Sequence, residues 1–196
     1  MKKALKIAFI VRSTLFKVVG GDNLQVVNTA HELKKLGVDV DIILAKDRVN
    51  YFKYDIIHLF NIIRPADHLY HIAKCNKPIV LSTIYLDYSE FDIYGRVGIQ
   101  KMFFRVAGKN GSEYLKNNYR FLKSQDYLVS PEYILGHKRA VRKIVSKVDL
   151  LLPNSNSEYD RLAKDYDIEK DFSVITNGIN ADIFSRIPKV DRIDNQ

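Results

Sequence analysis

The segment KIAFIVRSTLFKVVGGDNLQVVNTAHELKKLGVDVDIIL, residues 6–44, decides the fold class. Its first six residues, Lys6–Val11, form a β-branched apolar run that predicts a buried parallel strand. Asp22–Leu36 then carries apolar residues at helical spacing, and Gly37 is placed to end that helix. A second apolar run, Val38–Leu44, predicts the next strand. A strand–helix–strand unit with short connections predicts a parallel sheet with right-handed crossovers.

The same alternation continues along the rest of the chain, with one long interruption after residue 83. The further predicted strands are Asp55–Phe60, Pro78–Thr83, Val148–Leu152 and Phe172–Ile175. The further predicted helices are Ala66–Cys75 and Ser155–Tyr166, the second of which opens on a capping-box pattern. We therefore predict one α/β, Rossmann-like domain over residues 1–184, with a parallel sheet flanked by helices, and a charged linker over 185–196.

The charge of the chain is concentrated in the interruption. The 196 residues carry a formal net charge of +8. Gly95–Lys147 holds 12 Lys and Arg against 3 acids, whereas the remainder holds 19 bases and 20 acids. The interruption is also aromatic and mainly helical in its periodicity, which predicts a basic helical insertion over about residues 88–147, between the fourth and fifth strands.

This basic insertion predicts a surface for an anionic partner. Arg96–Val106 has an apolar helical face flanked by Lys101 and Arg105, and Lys109 follows it. Such a helix can lie on an anionic membrane, and the alternative is that its apolar face packs on the sheet while its bases are solvated. Aromatic and basic residues also interleave further along, but no nucleic-acid motif accompanies them, so we expect no nucleic-acid partner.

Composition and cysteine usage narrow the class of protein. A content of 46% apolar and 11% aromatic residues excludes a disordered chain. Cys75 is the only cysteine, which excludes internal disulfides and a cysteine-based zinc site and fits a reducing compartment. No apolar run reaches the length of a membrane span. We predict a cytoplasmic protein, whose membrane contact, where there is one, is peripheral on the inner face.

Polar residues gather where the predicted strands end. Ligands of open parallel sheets bind beyond the carboxyl ends of the strands, near a reversal in strand order. Gly20-Gly21 lies between the first strand and a helix, where backbone amides can face negative charge, although a glycine pair is also common in ordinary turns. The polar residues that follow the predicted strands are Arg12 and Ser13, Asn61 and Arg64, Tyr85 and Asp87, Asn154 and Ser155, and Asn177.

Other site chemistries have little support in the sequence. The glycine fingerprints of dinucleotide and ATP sites are absent, as are H-E-x-x-H and G-x-S-x-G. His68 and His71 are three residues apart but have no obvious third ligand, so we predict no metal site. His58, inside a predicted strand, is expected to be a satisfied core or rim histidine.

Several short strings occur in the order and spacing of one known family. They are Gly20-Gly21 before a helix ending Leu33-Lys-Lys-Leu-Gly37, then VDVDII; Asp55-Ile-Ile-His58; Lys77-Pro-Ile-Val80; and Val148-Asp-Leu-Leu-Leu-Pro-Asn-Ser155. The most specific is Ser173-Val-Ile-Thr-Asn-Gly-Ile-Asn-Ala-Asp-Ile-Phe184, which is similar to V-I-x-N-G-V-D-x-x-x-F. With these strings the chain resembles the amino-terminal, acceptor domain of the family 4 glycosyltransferases, whose GT-B arrangement has two Rossmann-like lobes.

The resemblance implies that a sugar is transferred from a nucleotide sugar to a glycan or lipid-linked acceptor, with retention and without a metal or other cofactor. In such enzymes the amino-terminal lobe mainly holds the acceptor, and the second lobe holds most of the donor. The chain ends about a dozen residues after Phe184, so we expect the donor lobe to be missing and the chain alone to be inactive or nearly so. The implied setting is the synthesis of cell-envelope polysaccharide.

The resemblance also implies roles for individual residues. Family members often carry T-x-H-D where this chain has Thr83-Ile-Tyr-Leu-Asp87, and a second histidine where it has Phe60. Tyr85 or Asp87 is therefore expected to orient the attacking hydroxyl. The residues expected to bind donor phosphate and acceptor are Gly20, Gly21, Asn61, Asn154, Ser155, Asn177 and Gly178. The alternative function is that of a non-enzymatic glycan- or membrane-binding module built on the same lobe.

Overall fold

A five-stranded, all-parallel sheet forms the centre of the protein in a computed structural model, which describes residues 4–18, 20–85 and 136–178. The strands are β1 Lys6–Val11, β2 Asp39–Leu44, β3 Ile56–Phe60, β4 Ile79–Ser82 and β5 Leu150–Leu152. The helices in the described part of the chain are α1 Gly21–Lys35, α2 Pro65–Ile72, α3 His137–Lys147 and α4 Asn156–Tyr166, with a short 3-10 turn at Tyr51–Lys53. This is the α/β, Rossmann-like class that the sequence predicts.

The strand order places β1 and β3 side by side, with the reversal of the chain between them. The order across the sheet is β2-β1-β3-β4-β5, so the chain leaves β1 toward one edge to form β2 and then crosses back to form β3. The reversal therefore lies between the carboxyl ends of β1 and β3. Crevices at such a point bind ligands in open parallel sheets.

Strand β1 is buried on both faces, as its apolar run predicts. Phe9 is 0% exposed and packs in a cluster with Val26 of α1, whereas Ala8 and Ile10 belong to a second cluster with residues of α2, α3 and α4. Neighbouring residues of a strand point to opposite faces, so one short run supplies both cores. Helices cover the sheet on both faces for this reason.

The structure corrects one predicted strand and the bounds of one predicted helix. Phe172–Ile175 does not form a full strand: Phe172 makes one isolated parallel bridge to Leu151, supported by backbone bonds from Ser173 to Leu151 (3.0 Å) and from Ile175 to Pro153 (2.9 Å). Phe172 and Ile175 are 38% and 49% exposed, and the Phe172 ring stacks on Tyr159, so this segment lies at the sheet edge and is only partly covered. The predicted helix Ala66–Cys75 begins at Pro65 and ends at Ile72.

Most of the predicted basic insertion lies outside the described residues. Its last part is α3, which buries Ala140, Val141, Ile144 and Val145 against the core. Its bases lie on the opposite side, and Arg142 donates to the carbonyl of Tyr166 (2.6 Å) at the end of α4. This part of the basic stretch therefore packs as an ordinary amphipathic helix. No helix in the described part of the chain is long and apolar enough to cross a membrane.

Candidate functional site

A cleft of about 360 Å3 opens at the carboxyl edge of the sheet, where the strand order reverses. Six of the residues predicted to form the site line it: Gly20, Gly21, Asn61, Tyr85, Asn154 and Asn177. The structure adds five that the sequence analysis did not place there: Asp22, Gln25, Ile63, Ile84 and Glu158. Loops that are far apart in sequence meet here because parallel strands all end at the same edge.

The remaining predicted site residues fall elsewhere. Ser155 is the N-cap of α4, and its hydroxyl accepts from the amide of Glu158 (3.1 Å), so its observed role is to begin that helix. Gly178 follows the lining residue Asn177 but does not itself line the cleft. Asp87, Lys101, Arg105 and Lys109 lie outside the described residues.

The glycine loop is held by an ion pair that the sequence analysis missed. Arg12, which directly follows β1, donates from Nε to Asp22 Oδ2 (2.6 Å) and from Nη2 to Asp22 Oδ1 (3.0 Å). Its Nη2 also donates to the carbonyl of Val18 (2.6 Å). The two side chains are only 8% and 13% exposed. A two-point arginine–carboxylate contact of this kind fixes geometry as well as charge, so it holds the loop against the first turn of α1.

This ion pair also sets the charge state of Asp22. Burial alone would raise the pKa of the carboxyl, but the hydrogen bonds and charge of Arg12 outweigh it and hold the pKa of Asp22 below its usual range. Asp22 is therefore ionised at neutral pH and neutralised by Arg12.

Gly20 and Gly21 present backbone at the start of α1. Gly20 is the N-cap, in an extended conformation, and the amides of Gly21 and Asp22 precede the first helical hydrogen bond. A Cβ at Gly20 would lie 3.0 Å from Asp22 Oδ1, whereas a Cβ at Gly21 would meet no heavy atom within 4 Å. The space beside the Gly21 backbone is therefore open, and Gly21 is one of the residues that line the cleft.

Glu158 ties the loops after β4 and β5 together. Its carboxylate is buried, and the residue is 8% exposed. One carboxylate oxygen accepts from the Thr83 hydroxyl and from the backbone amide of Tyr85 (2.7 Å). The other oxygen accepts from the backbone amide of Asn154 (2.9 Å). The predicted capping box is therefore only half formed. Ser155 caps Glu158, but the Glu158 side chain serves the two neighbouring loops instead of returning to Ser155.

The loop after β4 is strained where it borders the cleft. Ile84 has a φ of 44°, the left-handed region that β-branched residues rarely adopt. The residues on either side, Thr83 and Tyr85, are the two that bond to Glu158. A strained conformation persists only where its surroundings over-determine it. Glu158 supplies that constraint here.

Tyr85 does not present its hydroxyl to the cleft. Its side chain is 1% exposed, its ring packs edge-on against Tyr166, and its hydroxyl donates to Asp165 Oδ2 (2.5 Å). Burial, together with the neighbouring Tyr166 and Asp165, raises the pKa of this hydroxyl far above its usual value. The side chain therefore joins the β4 loop to α4, and the proposed role of Tyr85 in orienting an acceptor hydroxyl has no support in this geometry.

Two carboxamides meet across the cleft. Gln25 on α1 donates from Nε2 to Asn154 Oδ1 (3.0 Å), which links the start of α1 to the loop after β5.

Asn61, after β3, has a φ of 74°, and its Oδ1 accepts from the backbone amide of Ile63 (3.3 Å). Asparagine tolerates this left-handed conformation better than most residues, which explains its place at this turn.

The buried histidines are structural. His58 is 6% exposed, lies 2.8 Å from Ser82 Oγ and stacks on Phe60; burial lowers its pKa to about 3, as expected for a satisfied core residue. His68 and His71 contact the carbonyls of Asn61 (2.8 Å) and Ala45 (2.9 Å) with their Nε2 atoms. In the described ranges, no three histidine, cysteine or acidic side chains are arranged to hold a metal ion.

Comparison with known proteins adds no family to this description. The sequence matches no protein-family model and no curated protein.

Arg12 is among the polar residues predicted at the strand ends, and the missed residues Asp22 and Glu158 also carried a local signal. Arg12 directly follows a predicted strand, and Asp22 lies in the first turn of the next helix, where a carboxylate is favoured. Glu158 stands three residues after Ser155 in the capping box. Their partners were not visible from the sequence, because each contact depends on how the loops meet in space.

Proposed function

We propose that the chain is the acceptor-binding half of a retaining glycosyltransferase, which moves a sugar from a nucleotide sugar to a glycan or lipid-linked acceptor. The observation that carries the proposal is the cleft at the β1/β3 reversal, lined by the glycine pair and by residues after β3, β4 and β5. The resemblance of the sequence strings to family 4 glycosyltransferases supports it. The proposed setting is cell-envelope polysaccharide synthesis at the cytoplasmic face of a membrane.

The proposed chemistry is positioning and charge stabilisation. The acceptor hydroxyl lies in the cleft, and the Gly21 and Asp22 amides at the start of α1 face the donor phosphate, where negative charge builds on the leaving nucleotide. Asp87 remains the proposed residue for orienting the hydroxyl, because the Tyr85 hydroxyl is bonded to Asp165. Most of the donor is held by a second, carboxyl-terminal lobe.

The test compares transfer by variants of Gly21. Transfer is measured from UDP- and GDP-linked sugars onto glycan and lipid-linked acceptors, by the chain alone and by the chain supplemented with a carboxyl-terminal donor lobe. We expect Gly21→Val to lower transfer steeply and Gly21→Ala to lower it less. A Cβ at Gly21 has free space within the fold, so both variants should fold normally.

Asn28→Val is the matched control, because Asn28 is exposed on the same helix and does not line the cleft. Circular dichroism checks the fold of each variant. Equal transfer by Gly21→Val and Asn28→Val would refute the phosphate role. Glycan binding by the chain without transfer under any of these conditions would favour the non-enzymatic glycan-binding alternative.

A further inference from the structure

The cleft offers an unusual set of side chains to a ligand. Four of its described lining residues are carboxamides, on four separate segments of the chain: Gln25, Asn61, Asn154 and Asn177. A carboxamide is neutral and carries both donors and an acceptor, which matches a sugar hydroxyl that also donates and accepts. The two isoleucines in the lining, Ile63 and Ile84, add apolar surface for the C–H face of a sugar ring.

The Gln25–Asn154 contact leaves hydrogen-bonding capacity at the centre of this set. The contact uses one N–H of Gln25 and the oxygen of Asn154. Within the described ranges, no hydrogen bond ends on Gln25 Oε1 or Asn154 Nδ2. One acceptor, Gln25 Oε1, and one donor, Asn154 Nδ2, therefore remain side by side. If both side-chain amides were assigned in the flipped orientation, one donor and one acceptor would still remain.

The described charged groups near Asn154 favour a neutral ligand on that side of the cleft. Asp22 is paired with Arg12. The donors to Glu158 in the described residues are the Thr83 hydroxyl and two backbone amides, none of which is cationic. Among the described residues, the groups that bond to this buried carboxylate behind Asn154 and Tyr85 carry no positive charge, so a negative charge on a ligand nearby is disfavoured.

The lining also disfavours an aromatic ligand. Tyr85 is the one aromatic residue among the described residues of the lining, and its ring is buried under the loop. Among the described lining residues, a nucleobase would therefore find no exposed ring on which to stack.

From this lining we infer that the cleft selects a neutral hexose unit, held through its hydroxyls by Gln25 and Asn154, and rejects the corresponding uronic acid. The inference rests on the proposed function and names the substrate class of the same site. It places the sugar unit between α1 and the β5 loop.

The test uses the full chain and saturation-transfer NMR. The probes are the methyl glycosides of glucose, galactose, mannose and N-acetylglucosamine, with methyl β-D-glucuronide as the charged counterpart. We expect at least one neutral glycoside to bind with a Kd of about 1–10 mM, and the glucuronide to bind about tenfold more weakly or not at all. Gln25→Ala and Asn154→Ala should each weaken the neutral ligand about fivefold or more.

Asn28→Ala, an exposed amide on the same helix, is the control and should bind as the wild type does. Binding of the glucuronide as tightly as the neutral sugars, no binding by any neutral glycoside, or equal effects of Asn154→Ala and Asn28→Ala would each overturn the inference. Neutral-sugar binding without transfer, even when the donor lobe is supplied, counts against the proposed function alone, whereas transfer to a uronic acid acceptor counts against this inference alone.

Discussion

Replacing Glu158 with glutamine tests the central contact of the cleft wall. The carboxylate accepts three hydrogen bonds, one from Thr83 and one from Tyr85 on one oxygen and one from Asn154 on the other. Glutamine keeps one acceptor oxygen, so its NH2 group must face one of these donors. A bond to a charged acceptor contributes about 1.5–3 kcal/mol, and the bonds that remain become neutral and weaker. We therefore expect Glu158→Gln to lower the free energy of unfolding by about 3 kcal/mol.

A typical domain has a free energy of unfolding of roughly 5–15 kcal/mol, so the expected loss is a large fraction of it. Urea denaturation followed by circular dichroism can measure this loss. Hydrogen exchange gives the local readout: the amides of Tyr85 and Asn154 should exchange faster in the variant than in the wild type. Glu169→Gln is the matched control, since it makes the same chemical change on an exposed residue near the end of α4. If the two variants lose equal stability, or if the Tyr85 amide keeps its protection in Glu158→Gln, the argument fails.

Three further predictions concern strain and pH. Ile84→Gly should be about 1 kcal/mol more stable than Ile84→Ala, because glycine adopts the left-handed φ without strain; equal urea midpoints would contradict this. Burial lowers the pKa of His58 in the folded protein to about 3, and those of His68 and His71 to about 4, which is below the unfolded value of about 6.5. The contribution of these neutral histidines to stability should therefore be complete above about pH 6.5. On acidification toward pH 4, the free energy of unfolding should fall by up to about 1.4 kcal/mol per pH unit for each histidine. Flat urea midpoints between pH 7.5 and 5 would refute it. Asp22→Asn should be less stable than the wild type at pH 7, and the gap should narrow as the pH falls through the lowered folded pKa of Asp22; a constant gap down to pH 3 would show that the ion pair contributes nothing.

The secondary structure followed closely from local patterns. Lys6–Val11 is a strand with the predicted bounds, and the helix predicted at Asp22–Leu36 begins and ends within one residue of that range. Gly37, with a φ of 81°, follows the end of this helix as predicted. The prediction of a full strand at Phe172–Ile175 was wrong: the segment bonds to Leu151 and Pro153, but it makes only one isolated ladder bridge.

What the sequence determined by itself is the α/β alternation and the positions of the strand ends, since apolar periodicity, caps and glycines act over a few residues. Only the tertiary structure decided what those ends do. It turned Tyr85 inward toward Asp165, directed the Glu158 carboxylate to the loops on both sides of it, and brought Gln25 to Asn154 across 129 positions of sequence. These contacts depend on the order in which parallel strands are laid side by side, and no local pattern encodes that order.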